Sequence, residues 1–341
     1  MHYGHANALR QAKALGDYLI VGVHSDADIA ANKGPPVMSE EDRYKAVAAC
    51  KWVDEVVKGA PFVTSLKMLK EYNVDICIHG DDIITDANGK DCYSEIREAG
   101  MFQTVPRTQG VSTTDLVGRM LLMTKTHHQK ESIISSTEDL RSIHEGADKA
   151  SPYTRTSKFV PTTRQIVQFS DGKQPKPGDK IGYIDGAFDL FHIGHISILE
   201  KAKQNCDFLI VGVHDDEVVN LEKGANHPLS NLHERVLGVL SCRYVDEVII
   251  GAPYIVDMDL IKSQNISVVF HGSEHDVPHE GDIDPYKAAK DAGICCSLES
   301  PSKITTSVII QRILDNSAAF RERNRKKQLK EIAEVEASKK Q

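Results

Sequence analysis

Lys180-Ile181-Gly182-Tyr183-Ile184-Asp185-Gly186-Ala187-Phe188-Asp189-Leu190-Phe191-His192-Ile193-Gly194-His195 is the stretch that decides the architecture. Its opening residues, Lys180–Ile184, predict a strand, Asp185–Asp189 a turn, and His192–Lys203 a helix. A strand that turns sharply into a helix presents backbone N–H groups and the positive end of a helix dipole to an anion. His192 and His195 are three apart and share one face of the first helical turn. Gly194 between them removes a side chain where a phosphate must come close. Two imidazoles at a helix N-terminus can donate hydrogen bonds to a phosphate as charge builds on it. Such a pair would bind a metal only with further ligands, and the sequence does not place any.

The pattern occurs twice. His2-Tyr3-Gly4-His5 repeats the two histidines, and Leu19-Ile20-Val21-Gly22-Val23-His24 returns as Leu209-Ile210-Val211-Gly212-Val213-His214. Val53-Asp54-Glu55-Val56 returns as Val245-Asp246-Glu247-Val248, Gly59-Ala60-Pro61 as Gly251-Ala252-Pro253, and His79-Gly80 as His271-Gly272. So long a period means a duplicated domain rather than a solenoid. Within each copy, short apolar runs (Leu209–Val213, Val268–His271) alternate with helical patterns (Ser39–Cys50, Leu232–Cys242). That order implies βαβ units in a doubly wound parallel sheet, with ligands beyond the carboxyl ends of its strands.

From about Thr126 to Asp179 the chain turns polar and reads as a connector, in which Gln165–Phe169 is a candidate lone strand. After Phe320 it is rich in Arg, Lys and Glu, which predicts a solvated terminal helix without the broad apolar face of a membrane binder. With 341 residues there is room for about two domains, and the net charge of −8 argues against nucleic acid as the main partner. No run approaches the length of a membrane span, and Met1–His5 lacks the basic and apolar regions of a signal peptide. Seven cysteines without C-x-x-C spacing, mostly in apolar runs, read as reduced packed thiols of a cytoplasmic protein.

Phe188–His195 resembles the signature of the nucleotidyltransferase superfamily, and Arg107-Thr108-Gln109-Gly110-Val111-Ser112-Thr113-Thr114-Asp115 is similar to the second signature of its cytidylyltransferase branch. The resemblance covers nearly the whole chain. It implies an α/β protein of two tandem Rossmann-like doubly wound nucleotidyltransferase domains with a polar linker: residues 1–125, a linker at 126–178, residues 179–316, and a charged tail at 317–341. Tandem domains resemble the family member that takes phosphoethanolamine, whereas the choline-directed relative carries one domain and an amphipathic membrane helix. The implied reaction is attack of a phosphoethanolamine oxygen on the α-phosphorus of CTP, with pyrophosphate leaving. A phosphate monoester, with a second pKa of about 6, needs no general base at neutral pH. Catalysis then reduces to alignment and charge stabilisation.

By the same resemblance His2, His5, Lys33, Arg107, Ser112, Thr113 and Thr114 form the catalytic set of the first copy, with His79 and Gly80 in its base-recognition segment. Nucleotide contacts in the second copy fall to Ala187, Phe188, His192, His195, Lys223, His271, Gly272, Ser273, Glu274, Ser302, Lys303, Ile304, Thr305 and Thr306. Mg²⁺ is expected with CTP, although no carboxylate cage is visible. The Val-Asp-Glu-Val segments read as strands with helix-contact or inter-domain acids, and the resemblance implies an intramolecular pseudo-dimer, with further oligomerisation open.

The copies differ. Pro301–Ser307 keeps two threonines but has neither the arginine nor the aspartate of Arg107–Asp115, so the second copy is expected to hold nucleotide with weak or absent turnover. In the first, Met1 aligns with Phe191, and a strand and turn of about ten residues are expected before His2. Two explanations stand: a late-starting gene model or isoform, favoured because the downstream residues keep their active types, or a non-catalytic paralogue. In a doubly wound sheet the missing strand is central, and its loss is expected to expose apolar faces of two neighbours. Phosphocholine and glycerol 3-phosphate remain alternative acceptors, and a catalytically weak CTP-binding regulator is the alternative from another class.

Overall fold

A computed structural model describes residues 1–82, 85–86, 89–108, 110–122, 159–224, 226–273 and 284–338. In chain order the elements are α1 (Tyr3–Lys13), β1 (Ile20–Val23), α2 (Asp26–Lys33), α3 (Glu40–Ala48), β2 (Glu55–Lys58), α4 (Leu66–Glu71), β3 (Cys77–Gly80), α5 (Ser94–Glu98), β4 (Phe102–Val105) and α6 (Thr113–Leu121). There follow α7 (Phe159–Phe169), β5 (Ile181–Gly186), α8 (Ile193–Lys203), β6 (Phe208–Val213), α9 (Asp216–Lys223), α10 (Leu232–Leu240), β7 (Glu247–Ile250), α11 (Met258–Ser263), β8 (Val268–Gly272), α12 (Lys287–Asp291) and β9 (Cys295–Leu298). Two helices close the chain, α13 (Thr306–Asp315) and α14 (Ser317–Ser338). Two compact units result: Met1–Leu122 with Ser307–Gln341, and Met123–Thr306.

The second unit is built on one parallel sheet in the order β7-β6-β5-β8-β9. Central β5 pairs Ile181–Gly186 with Phe208–Val213 on one side and Gly182–Ile184 with Val268–Phe270 on the other. Strand order reverses at β5, so its carboxyl end is the switch point where ligands bind such sheets. Every residue of β6 is buried, as an uninterrupted Phe-Leu-Ile-Val-Gly-Val run requires of a strand covered on both faces. Tyr183, Phe208, Ile210, Val269 and Ile261 form part of the core. Asp246 precedes β7, pairs with Lys203 at the end of α8 (2.5 Å) and accepts from Leu209 N at the start of β6 (2.8 Å). Asp54 repeats this with Lys13 and Leu19 N, both at 2.7 Å. These acids tie helix to strand.

In the first unit β1 pairs with β2 and β3 with β4, both parallel, as two separate two-stranded sheets. Among the described residues no strand stands between β1 and β3, the place β5 fills in the other copy. The consequence is visible in burial: Ile20, Val21 and Gly22 are half-buried or exposed where Ile210, Val211 and Gly212 are buried, and β3 is only half-buried where β8 is covered.

Two expectations are corrected. Gln165–Phe169 lies in helix α7, not a strand. Pro161 fits a first helical turn, Ile166 and Phe169 fall three apart on one face, and Gln165 Oε1 meets His233 Nε2 of α10 at 2.8 Å. Helix α14 is solvated on one side only, because Phe320, Arg323, Asn324 and Lys327 (the i, i+3, i+4, i+7 positions) are buried or half-buried. Arg321, Glu322, Arg325 and Lys326 stay exposed, with Glu322 paired to Arg325 at 2.8 Å. Among the described residues no helix is long and apolar enough to cross a membrane.

Candidate functional site

At the end of β5 the chain bends through Ala187–Phe191 with Phe188 and Leu190 at φ of 50° and 53°. Left-handed backbone costs a non-glycine residue about 1–2 kcal/mol, so the turn must be held by its surroundings. Asp189 holds it from one side, accepting from Leu229 N (2.8 Å) and Ser230 N (2.9 Å). Burial alone would raise the Asp189 carboxyl, but His227 and these two amides win and hold it below its usual range. From the other side, Arg235 donates to Ala187 O (2.7 Å), Ser230 O (3.1 Å) and Asp216 Oδ1 (2.8 Å).

The turn delivers His192 as the N-cap of α8. Gly194 N donates to His192 Nδ1 (3.1 Å), so neutral His192 carries its proton on Nε2, 3.3 Å from Thr306 Oγ1. Thr306 in turn donates to Asp189 O at 3.0 Å. His192 N donates to His195 Nδ1 (3.3 Å), which leaves the His195 proton on Nε2 as well. The two rings stack 3.8 Å apart. Burial, then His192 and Lys223, push His195 well below its ordinary pKa. The helix mouth therefore offers the neutral N–H donor of His195, while the His192 ring is turned to Thr306. A Cβ on Gly194 would run into Ile304 O and the His192 ring. The glycine thus admits the backbone of the Ser302–Thr306 segment, and its role is not simply to clear space for phosphate.

His271 stands one residue before the end of β8, stacked on Tyr286 at 5.0 Å, and Tyr286 donates to Asp185 Oδ1 at 2.7 Å. Gly272 and Ser273 follow it; Glu274 lies outside the described residues. Ser302 Oγ accepts from Ile304 N (3.3 Å), Lys303 is exposed, and Thr305 is half-buried.

The first unit repeats the plan with different fittings. His2 N donates to His5 Nδ1 (3.3 Å), the rings lie 3.8 Å apart, and buried His2 Nδ1 has no hydrogen-bond partner. His5 sits deep among protein atoms yet keeps one face open to solvent. That crowding, with nearby cations including Lys33, Lys327 and Arg107, lowers it to about 3. Lys33 closes α2, with its ammonium 5.3 Å from the Phe62 ring centre. The loop carrying Arg107 is pinned by Asn7 to Thr108 Oγ1 (2.9 Å), Gln11 to Pro106 O (3.1 Å) and Arg107 N to Asp81 Oδ1 (3.2 Å). Ser112 caps α6 through Asp115 N at 3.0 Å, which places Thr113 and Thr114 in its first turn. His79 stands in β3 just before its last residue Gly80, 3.9 Å from Asp82 and tilted against Tyr93 with ring centres 5.2 Å apart. His2, His5, Lys33 and Arg107, scattered over a hundred positions, are thus electrostatic neighbours.

Sequence reading missed the buried fork of Arg235 and its counterpart Arg43, which donates to His24 O (2.8 Å), Met38 O (3.3 Å) and Asp26 Oδ1 (2.6 Å). It also missed what His24 and His214 do: each ring nitrogen meets the carbonyl of the repeated alanine, Ala60 (2.9 Å) or Ala252 (3.1 Å). The internal repeat held the signal for both pairs.

A cytidylyltransferase-like family model matches residues 1–119 and 183–312. The chain is 55% identical over 340 residues to an ethanolamine-phosphate cytidylyltransferase of Dictyostelium discoideum, covering 99% of this chain and 94% of the relative. It is 47% identical to that of Mus musculus over 364 residues, covering 100% and 90%. Choline-phosphate cytidylyltransferase A of Rattus norvegicus matches at 46%, but over only 35% of this chain and 33% of its own. A family model that matches both repeats, with relatives aligned over nearly the whole chain, places this chain in the ethanolamine-phosphate cytidylyltransferase family.

Proposed function

We propose that the chain joins CTP to phosphoethanolamine, giving CDP-ethanolamine and pyrophosphate, in phosphatidylethanolamine biosynthesis. The observation that carries this reading is the full-length match to relatives of that name, against a one-third match to the choline enzyme. In the reaction a phosphate oxygen of phosphoethanolamine bonds to the α-phosphorus of CTP. The bond from that phosphorus to the bridging oxygen breaks, and its electron pair leaves with pyrophosphate. No proton needs moving, so the protein's work is alignment and charge.

The first unit supplies both. His5, neutral and protonated on Nε2, donates to a phosphate oxygen together with His2. Lys33 and Arg107 balance charge on the phosphates, and Ser112, Thr113 and Thr114 offer hydroxyls and helix-start amides. His79 and Gly80 stand where the base would be read. The second unit, whose Glu299–Lys303 segment contains no arginine, binds nucleotide through His192, His195, Lys223, His271 and Thr306 and turns over weakly or not at all. Among the described residues no group of three His, Cys, Asp or Glu converges on a metal position. Mg²⁺ is expected to enter with CTP, and would neutralise charge on the departing pyrophosphate. Buried thiols at Cys50, Cys92 and Cys242 support a cytoplasmic setting.

Pyrophosphate release by the purified chain, given CTP and each of phosphoethanolamine, phosphocholine and glycerol 3-phosphate, tests the reading. Phosphoethanolamine should give the highest kcat/KM. Preference for another acceptor would overturn the substrate, and CTP binding without release from any would replace the enzyme by a nucleotide-binding regulator.

A further inference from the structure

Helix α14 buries the wrong chemistry for an ordinary packed helix. The face formed by Phe320, Arg323, Asn324 and Lys327 should be apolar if packing alone held it, yet two of the four are cations. Its contacts fall on two segments of the first unit that the nucleotide site uses. Arg323 Nη1 donates to Pro35 O (2.9 Å), with its stem lying over Gly34, where an added Cβ would sit 3.5 Å from Arg323 Cγ. Asn324 Nδ2 donates to Thr114 O (3.3 Å), in the first turn of α6. One helical turn further on, Lys327 comes within electrostatic reach of His2, His5 and Lys33.

We infer that Arg323 and Lys327 belong to the nucleotide site of the first unit, where α14 brings two cations to the CTP phosphates opposite Lys33 and Arg107. The inference rests on the nucleotide reading of that site. Lys327 and Arg107 act on both histidines, Lys33 on His5, and Lys327 and Arg323 on Lys33, so the four cations gather about one place. The Lys33 ammonium is lowered chiefly by loss of water; Asp82 opposes this, and Lys327 and Arg323 add to it more weakly. A triphosphate has the charge to engage such a group, and the cations share its growing negative charge as pyrophosphate departs.

Lys327→Ala, Lys327→Met, Lys327→Arg and Arg323→Ala are compared in the full chain with Lys326→Ala, on the solvent face of the same helix. Calorimetric titration with CTP and steady-state kinetics in both substrates are the readouts. Loss of either cation should weaken CTP binding roughly ten- to a hundredfold, the range of a charged hydrogen bond. KM for phosphoethanolamine should stay put, Lys327→Arg should recover most of the loss, and Lys326→Ala should match wild type. Lys327→Met keeps the stem without the charge, so it decides the matter if Lys327→Ala disturbs the helix. CTP affinity within about twofold of wild type in Lys327→Met and Arg323→Ala overturns the inference, as does an equal loss in both substrates. A wild-type chain that binds CTP without turning over phosphoethanolamine ends only the enzymatic reading, and the binding comparison still decides this one. Failure of the wild type to bind CTP at all ends both.

Discussion

Fully buried in the second unit, Arg235 divides its guanidinium among Ser230 O, Ala187 O and Asp216 Oδ1. The geometry uses the planar fork, and an ammonium cannot reproduce it. Arg235→Ala leaves a buried acceptor set and Asp216 uncompensated, and should cost about 3–5 kcal/mol. Arg235→Lys should recover less than half of that. Denaturant midpoints of the two variants check the ordering, and a lysine variant as stable as wild type would contradict the fork. The turn it braces was legible in the sequence because histidines, glycine and aspartate sit at fixed spacing. Arg235 was not, since an arginine beside a glutamate in a helix has the pattern of a solvated pair. Only its recurrence as Arg43, 192 positions earlier, hinted at a common duty.

Helix starts separate the two copies more clearly than strands do. Ser112 caps α6 and orders the amides of Thr113 and Thr114, whereas Ile304 stands at the matching place and α13 begins at Thr306, one position later in register. Ser112→Ala should cost about 1 kcal/mol of stability, the usual worth of such a cap. If the same amides hold phosphate, CTP turnover should fall further than that loss of stability explains. Thermal melts beside pyrophosphate release distinguish the two effects. Elements of the second sheet were legible to within a residue or two, because runs such as Leu209–Val213 are too apolar for any exposed setting. Helix α7 was not, since Ile166, Val167 and Phe169 favour a strand locally and only packing on α10 tips the balance.

Stability of the molecule as a whole should lean on pH through its buried imidazoles. Loss of water, above all, lowers His2, His5, His24, His79, His195 and His233 from the ordinary 6.5. Below 6.5 the unfolded chain therefore takes up protons that the folded chain refuses. The stabilisation is complete above that value and is lost progressively as pH falls. Asp189, lowered when folded, adds to the loss below about 4, while buried Asp185, raised when folded, opposes it there. Denaturation midpoints should thus decline steadily from pH 7 to pH 5, and the slope should shrink in His195→Gln. A flat profile would mean that these rings gain protons freely in the fold.

Helices α13 and α14 follow the second unit in the chain but group with the first. On the ribosome this reverses the usual order, in which the N-terminal domain is finished first. At roughly 5–20 residues per second, some ten to forty seconds separate the emergence of α6 from that of α14. Once residue 306 has emerged, late in that interval, the second unit has all its parts, while the first still waits with Lys33–Pro35 and the start of α6 uncovered. Nascent chains stalled after residue 306 should accordingly be cut by protease within residues 1–122, and resist once residue 338 has cleared the exit. The first domain to be translated is the last to be completed.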